Sequence, residues 1–513
     1  MGEKILISGD RRIAQDALME KARRAATGFA DLGIGDGDTV ALFLRNDFAF
    51  FEAAYAATLL GAYAVPINWH LKAEEAGYII RDSAARALVI HADLLPAIAA
   101  AIPDEVTLFV VPTPPEIAAG YRIEPAETMV PPGHTAWDQW LARHPEWLEP
   151  ARADRPSMIY TSGTTGRPKG VRREPWIGDA AIARRNELID MWFGLNPAQP
   201  PRTVITGPMY HVVPNHYGLF ALQCGGLLVL QPRFDAEELL AMIERHCITH
   251  VHLVPTMFVR LLRLPDAVRA RYDTTSLEFV SHGAAPCPPD IKRRMIEWWG
   301  PVINEYYGAT ESGAVCCHSS QEALRKPGTV GRAIGGGVIR IYDEEGNEQP
   351  VGEIGEIYLR LDVWPDFTYN NLDHKRGEIE RDGLITIGDM GYLDEDGYLF
   401  LVDRVNDMVI SGGVNIYPAE IEAVLIDMPG VHDCAVFGIP DEEYGEQLCA
   451  YIEPIDGDPL DVEGVRAYLR ERIANYKVPK TVEFQADLPR EDSGKIFKRR
   501  LREPYWRDAG RNI

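Results

Sequence analysis

Apolar positions recur at helical spacing over residues 13–33 (Ala14, Leu18, Ala22, Ala25, Phe29, Leu32), and Gly33 and Gly35 end the helix they predict. A largely apolar run at 39–44 reads as a strand, and a second helix over 48–60 has Asn46 or Asp47 available as its cap. Strands expected at 64–67 and 87–90 continue an alternation that favours parallel sheets covered by helices. Residues 112–150 are rich in proline and glutamate with weak periodicity, and read as irregular surface. Further strands are expected at 157–160, 203–206, 227–230, 251–254 and 277–280, and helices at 236–247 and 256–264. Beyond Glu353 the texture changes to short, glycine-punctuated strands, 356–360 and 398–402. A polar stretch, Asp403-Arg404-Val405-Asn406-Asp407, follows and marks the expected domain boundary. The remainder alternates helix (419–427), strand (433–438), helix (461–473) and a basic tail, enough for a small α+β domain.

Length agrees with that division, since 513 residues exceed one ordinary core. A formal charge of −24 repels a phosphodiester backbone and argues against nucleic-acid binding, while leaving room for a nucleotide held by a few local cations. No stretch approaches the roughly 18 apolar residues of a membrane span, and the start of the chain carries no leader pattern, so a cytoplasmic protein is expected. The seven cysteines include no Cys-x-x-Cys spacing and read as reduced, mostly buried thiols.

The densest chemical signal is Thr161-Ser162-Gly163-Thr164-Thr165-Gly166-Arg167-Pro168-Lys169-Gly170, which follows a strand-length run. Its residues are suited to converging backbone N–H groups, hydroxyls and one cation on an anion. A plain linker would have no use for a fixed proline φ beside a lysine between glycines, and the spacing is not that of a Walker loop. Asn304-Glu305-Tyr306-Tyr307-Gly308-Ala309-Thr310-Glu311 places rings, a hydroxyl and a carboxylate in one glycine-bent turn. Ser281-His282-Gly283-Ala284-Ala285-Pro286-Cys287 is small enough for a flat ligand to approach the backbone. Tyr210-His211 and Pro214-Asn215-His216 follow the strand at 203–206. Gly388-Asp389 offers a carboxylate to a pair of hydroxyls, although such a pair is also a routine turn signal. His246, His250 and His252 invite a metal reading, but His250 and His252 share one strand face and fit ordinary packing better.

Together these strings resemble, in order and from about residue 40 to 502, the adenylate-forming superfamily, and within it the acyl-CoA synthetase branch. The resemblance implies an α/β fold: a large N-terminal domain (1–403) of βαβ-type sheets covered by helices plus a small distorted β-barrel, a hinge at 404–406, and a small mobile α+β domain (407–513). It implies that Thr161, Ser162, Gly163, Thr164, Thr165, Gly166 and Lys169 hold the ATP phosphates. Gly283, Ala284, Ala285, Glu305, Tyr306, Tyr307 and Gly308 would wall the adenine and acyl sites, with Asp389 on ribose and Arg404 on the nucleotide. Thr310 would bond a phosphoryl oxygen, Glu311 would ligate Mg²⁺, and His211 would gate the acyl site. Lys495, in Pro489-Arg490-Glu491-Asp492-Ser493-Gly494-Lys495-Ile496, would be the mobile catalytic lysine, and Gly412 and Gly413 would line the CoA channel. Asn406 stands where the family commonly has Asp or Lys.

The activity so implied is ATP-dependent joining of a carboxylic acid to CoA through an acyl-adenylate. An enzyme performing one half-reaction, one loading a carrier protein, and a non-catalytic nucleotide sensor are the alternatives; Glu311 together with Lys495 argues against the last. Small residues at Val212, Gly283, Gly308 and Ala309 favour a bulky acid, aromatic, alicyclic or long-chain, over acetate. A homodimer is compatible with these patterns and specified by none of them.

Overall fold

Strands Thr39–Phe43 and Ala87–His91 are buried at every position, as expected of strands covered on both faces. They lie side by side in a parallel five-stranded sheet with Tyr63–Pro66, Thr107–Val111 and Thr135–Ala136. Helix Phe48–Leu59 is buried almost all round, which is why its apolar residues follow no single stripe. It has no side-chain cap. Asn46 bonds the Gly207 carbonyl and Met209 N–H instead, and Asp47 pairs with Arg11 and lies 3.3 Å from His91.

This computed structural model describes residues 4–161, 167–284, 287, 289–343, 345–404, 409–416, 418–426, 428–455, 460–489, 496 and 498–507. Its second sheet has 14 strands. Leu227–Leu230, Arg202–Ile205, His250–Leu253, Phe279–His282 and Ile303–Ala309 are its parallel centre. Gly313–His318, Thr329–Ala333, Tyr398–Arg404, Leu384–Leu393, Gly355–Leu361 and Gly337–Tyr342 then continue it antiparallel. The antiparallel strands from Gly313 onward are thus hydrogen-bonded into the same sheet as the parallel centre.

Several elements depart from expectation. Helix Pro115–Tyr121 and the short helix Trp137–Leu141 lie in the stretch expected to be irregular, and Trp137 and Trp140 pack on Phe29 and Phe109. Two tryptophans three apart carry too little periodicity to announce a helix. Gly388 and Asp389 lie inside strand Leu384–Leu393, where a register shift absorbs Gly388 at φ 77°, and not in a turn.

The last sheet of the large unit ends at Arg404, and the next begins with Val409–Ser411, so the expected hinge at Asn406 lies outside the described residues. The five-stranded C-terminal sheet centres on Gly445–Pro454 and Val431–Asp441. Helices Pro418–Ile426 and Val462–Arg472 cover it around Val436, Ile452, Val465 and Leu469. Asp461 caps the second of these by accepting from the Gly464 N–H at 2.6 Å.

Candidate active site

In a parallel sheet, ligands bind beyond the carboxyl ends of the strands. Four such ends open onto one cavity of about 850 Å³: Tyr210 and His211 after Arg202–Ile205, Val254 after His250–Leu253, Gly283 and Ala284 after Phe279–His282, and Thr310 and Glu311 after Ile303–Ala309. Thr161, Lys169, Asp389, Gly412 and Gly413 complete it from other elements. Of the residues expected at the site, Ser162, Gly163, Thr164, Thr165, Gly166, Ala285 and Lys495 lie outside the described residues, and Arg404 is described in its backbone alone.

The Gly/Ser/Thr loop joins antiparallel neighbours, Ile159–Thr161 and Lys169–Arg173, and the second of these strands was not foreseen. The Lys169 ammonium lies 5.0 Å from the Tyr369 ring centre, and burial lowers its pKa against the pull of Glu311. Glu311 Oε1 accepts from Tyr369 Oη at 3.1 Å and from Thr161 Oγ1 at 3.5 Å. Beneath that turn Arg173 donates to the carbonyls of both Thr310 and Glu311. Burial lowers the Arg173 pKa to about 10, with Glu311 and Asp366 opposing the shift. Arg173 is a site-building residue that sequence reading missed, although it stands three positions past the loop's last glycine.

On the opposite wall, Tyr307 Oη donates to Asp389 Oδ2 at 2.7 Å, and Asp389 is paired in register with Arg404. Glu305 lines the cavity while its carboxylate is held by Lys292 and, at 2.6 Å, by His318. Burial alone would raise the Glu305 pKa; Lys292, His282 and His318 outweigh it and hold it below the usual carboxylate range. Lys292, one turn into helix Pro289–Trp299, gave no signal in the sequence beyond an ordinary helical cation. His252 shares a 2.8 Å hydrogen bond with Tyr306 Oη, and His250 bonds Thr249 and stacks on Phe279, which is the packing role expected of them.

Gly283 and Gly308, expected to make room for the acid, both line the cavity and are tightly backed by protein. A Cβ on Gly283 would sit 2.6 Å from the Tyr306 ring, and one on Gly308 would strike the Gly313 backbone, so both allow close approach of protein to protein. Ala284 follows at φ 64°, a conformation rare without glycine and characteristic of a held turn. Another part of the cavity is an arm walled by Trp192, Phe193, Val212, Val213, His216 and Trp364, Val212 among the residues expected there. His211 sits at the N-cap of helix Val212–Cys224, its ring 4.4 Å from that of Tyr210, and burial with His70 pushes its pKa down to about 4.

The C-terminal unit closes the cavity with the turn Gly412-Gly413, at φ 63° and 76°. A Cβ on Gly413 would come 3.3 Å from Val254. Lys477 pairs with Glu75 at 3.0 Å, and Tyr476 Oη accepts from Asn68 at 3.1 Å. Ile496, beside Lys495, packs with Leu488 and Leu501 against Phe437 and Cys449, none of which lines the cavity.

A family model described as "AMP-binding enzyme" matches residues 2–362, and "AMP-binding enzyme C-terminal domain" matches 420–495. This chain belongs to the AMP-binding enzyme family. A long-chain-fatty-acid–CoA ligase, FadD13 of Mycobacterium tuberculosis, is 32% identical over 512 residues, spanning 97% of this chain and 94% of that protein. A feruloyl-CoA synthase of an Amycolatopsis species is 33% identical over 504 residues, covering 97% and 95%. Among solved structures, the amide bond synthetase McbA of Marinactinospora thermotolerans superposes with a TM-score of 0.82 at 26% identity, covering 98% of this chain and 100% of that one. The two family models fall on the two units, one on each side of residues 363–419.

Proposed function

We propose that this chain is an AMP-forming acid–CoA ligase. In the first half-reaction a carboxylate oxygen attacks the α-phosphorus of ATP and the bond to pyrophosphate breaks; in the second, the CoA thiol attacks the acyl carbon and AMP leaves. The observation that carries this reading is the single cavity in which Thr161, Lys169, Thr310, Glu311 and Asp389 meet the Gly412-Gly413 turn of the C-terminal unit.

Lys169 and the loop hold the terminal phosphates, and Thr310 bonds the α-phosphoryl group. Asp389 takes the ribose hydroxyls, and Tyr307, fixed by Asp389, lies on the purine beside Gly283 and Ala284. Arg173 keeps the Thr310-Glu311 turn in place while the charge on the phosphates changes. Among the described residues no group of three or more metal-ligating side chains occurs, so Mg²⁺ would be held by Glu311 with the triphosphate and solvent, the usual manner for this ion. Its contribution there is to neutralise phosphate charge. His211, kept neutral by burial, guards the acyl arm.

Lys495 serves adenylation in a second orientation of the C-terminal unit, reached by rotation about 404–406. The orientation described, with the glycine turn against Val254 and Lys477 on Glu75, is the one we assign to the thiol step, in which the Gly412-Gly413 turn would line the path of pantetheine. The free cysteines fit a reducing, cytoplasmic setting. Incubation with a panel of carboxylic acids, ATP, Mg²⁺ and CoA tests the reading. AMP and an acyl-CoA thioester should form in equal amounts; AMP without thioester would reduce the enzyme to one half-reaction, and no acid-dependent AMP would overturn it.

A further inference from the structure

His216 stands one turn into helix Val212–Cys224 on the wall of the acyl arm, with the ring centres of Trp364 and Phe220 each 5.8 Å away. Trp192 meets Trp364 edge-on at 4.9 Å and closes the wall. These flat faces suit a ring better than a mobile chain. Among the described residues, nothing hydrogen-bonds the His216 ring, whereas the ring of His252 nearby is tied to Tyr306 Oη at 2.8 Å. Nor are its nitrogens sealed inside the protein as both of those of His282 are. Burial, reinforced by Arg173 and Arg185, holds the His216 pKa down at about 3, so the ring is neutral and offers one N–H donor and one acceptor. Neither neighbouring cation serves a second carboxylate, because Arg173 has its guanidinium on the Thr310 and Glu311 carbonyls and Arg185 is paired with Asp154.

We infer that His216 is a specificity-determining residue, and that the arm takes an uncharged, ring-bearing acyl group whose hydroxyl or ketone oxygen, remote from the carboxylate, hydrogen-bonds its imidazole. The inference rests on the ligase reading and adds the substrate class to it. A saturated chain would cover the imidazole and leave it unpaired, which costs free energy; an oxygen at that depth satisfies it. Either oxygen suits, since the neutral ring donates to a ketone and can also accept from a hydroxyl.

Matched acids of equal bulk test this: para-hydroxycinnamic against para-methylcinnamic acid, and a cyclohexanone-bearing propanoic acid against its exocyclic-methylene counterpart. The readout is kcat/KM for the acid in AMP release at saturating ATP and CoA. Wild type should favour the oxygenated member of at least one pair by about tenfold or more. In His216→Phe, and in His216→Leu should the bulkier ring disturb folding, that ratio should collapse to about one, while His216→Asn, which keeps a donor and an acceptor, should retain a preference. A wild-type ratio at or below one in both pairs overturns the inference, as does a Phe or Leu variant with the wild-type ratio. Turnover without preference removes this inference alone, whereas no acid-dependent AMP from any acid removes the ligase reading and this inference with it.

Discussion

At the end of the cavity proposed for phosphate, Glu311 is gripped by Tyr369 and Thr161 and its turn by Arg173; at the end proposed for the acyl group, His211 and His216 stand among rings and, among the described residues, nothing hydrogen-bonds either imidazole. The first region manages charge with partners in place before any substrate arrives, so its groups need little reorganisation as phosphate charge shifts. The second keeps its imidazoles neutral by burial and leaves part of its polarity to be completed by the ligand. Changes to the charged frame should therefore affect every substrate and the fold, whereas changes to the acyl wall should re-rank acids.

The largest break in that contrast should come from Lys292→Met, which leaves the buried Glu305 carboxylate without its cation. A loss of about 3–5 kcal/mol in denaturant unfolding is expected, with much of it recovered in Lys292→Met/Glu305→Gln. Next, Arg173→Met leaves two carbonyls of the Thr310-Glu311 turn without their donor. ATP–pyrophosphate exchange should fall by about 100-fold with every acid alike, at about 1–3 kcal/mol for each unmet carbonyl. An effect confined to some acids would place Arg173 in the acyl wall instead.

The imidazoles give a third, smaller effect. His211, His216 and His252 have folded pKa values of about 4, 3 and 3, because burial disfavours their charged forms, against an unfolded value near 6.5. Their stabilising contribution is whole above about pH 6.5 and is lost as pH falls toward 4, since the unfolded chain binds protons that the native one refuses. Each adds at most about 1.4 kcal/mol per pH unit to the slope, and thermal melts at pH 7 and pH 4.5 should differ less in His216→Phe than in wild type. The smallest effect expected is that of Lys477→Met, which removes the ion pair to Glu75 across the two units. Thioester formation from a preformed acyl-adenylate should slow about threefold while adenylation holds its rate, because Lys477 is buried but Glu75 keeps some exposure and can rehydrate once the pair is broken.

The same contrast explains what could be read from the sequence. The wall carrying Thr161, Lys169, Tyr307, Thr310 and Glu311 could be picked out because these residues stand in two short strings of small and polar residues. The frame beneath was not, since Arg173 and Lys292 are ordinary cations until the fold buries them against carbonyls and Glu305. Most of the ring-walled arm escaped for a related reason. Its walls come from helix Asp179–Phe193, helix Val212–Cys224 and Trp364, which lie far apart in the chain. Strand positions were mostly apparent from apolar runs, and the helices at 179–193, 212–224 and 289–299 escaped because their apolar positions are broken by polar or charged residues.

The central claim is that one cavity serves two half-reactions, the first of them dependent on Lys495. Comparing Lys495→Ala with wild type in both half-reactions tests it most directly. Pyrophosphate release from ATP and acid should fall by about 100-fold or more, the scale of removing one group that stabilises transition-state charge, while thioester formation from a preformed acyl-adenylate and CoA stays within a few-fold of wild type. Adenylation at the wild-type rate, or equal loss of both half-reactions, would contradict the account.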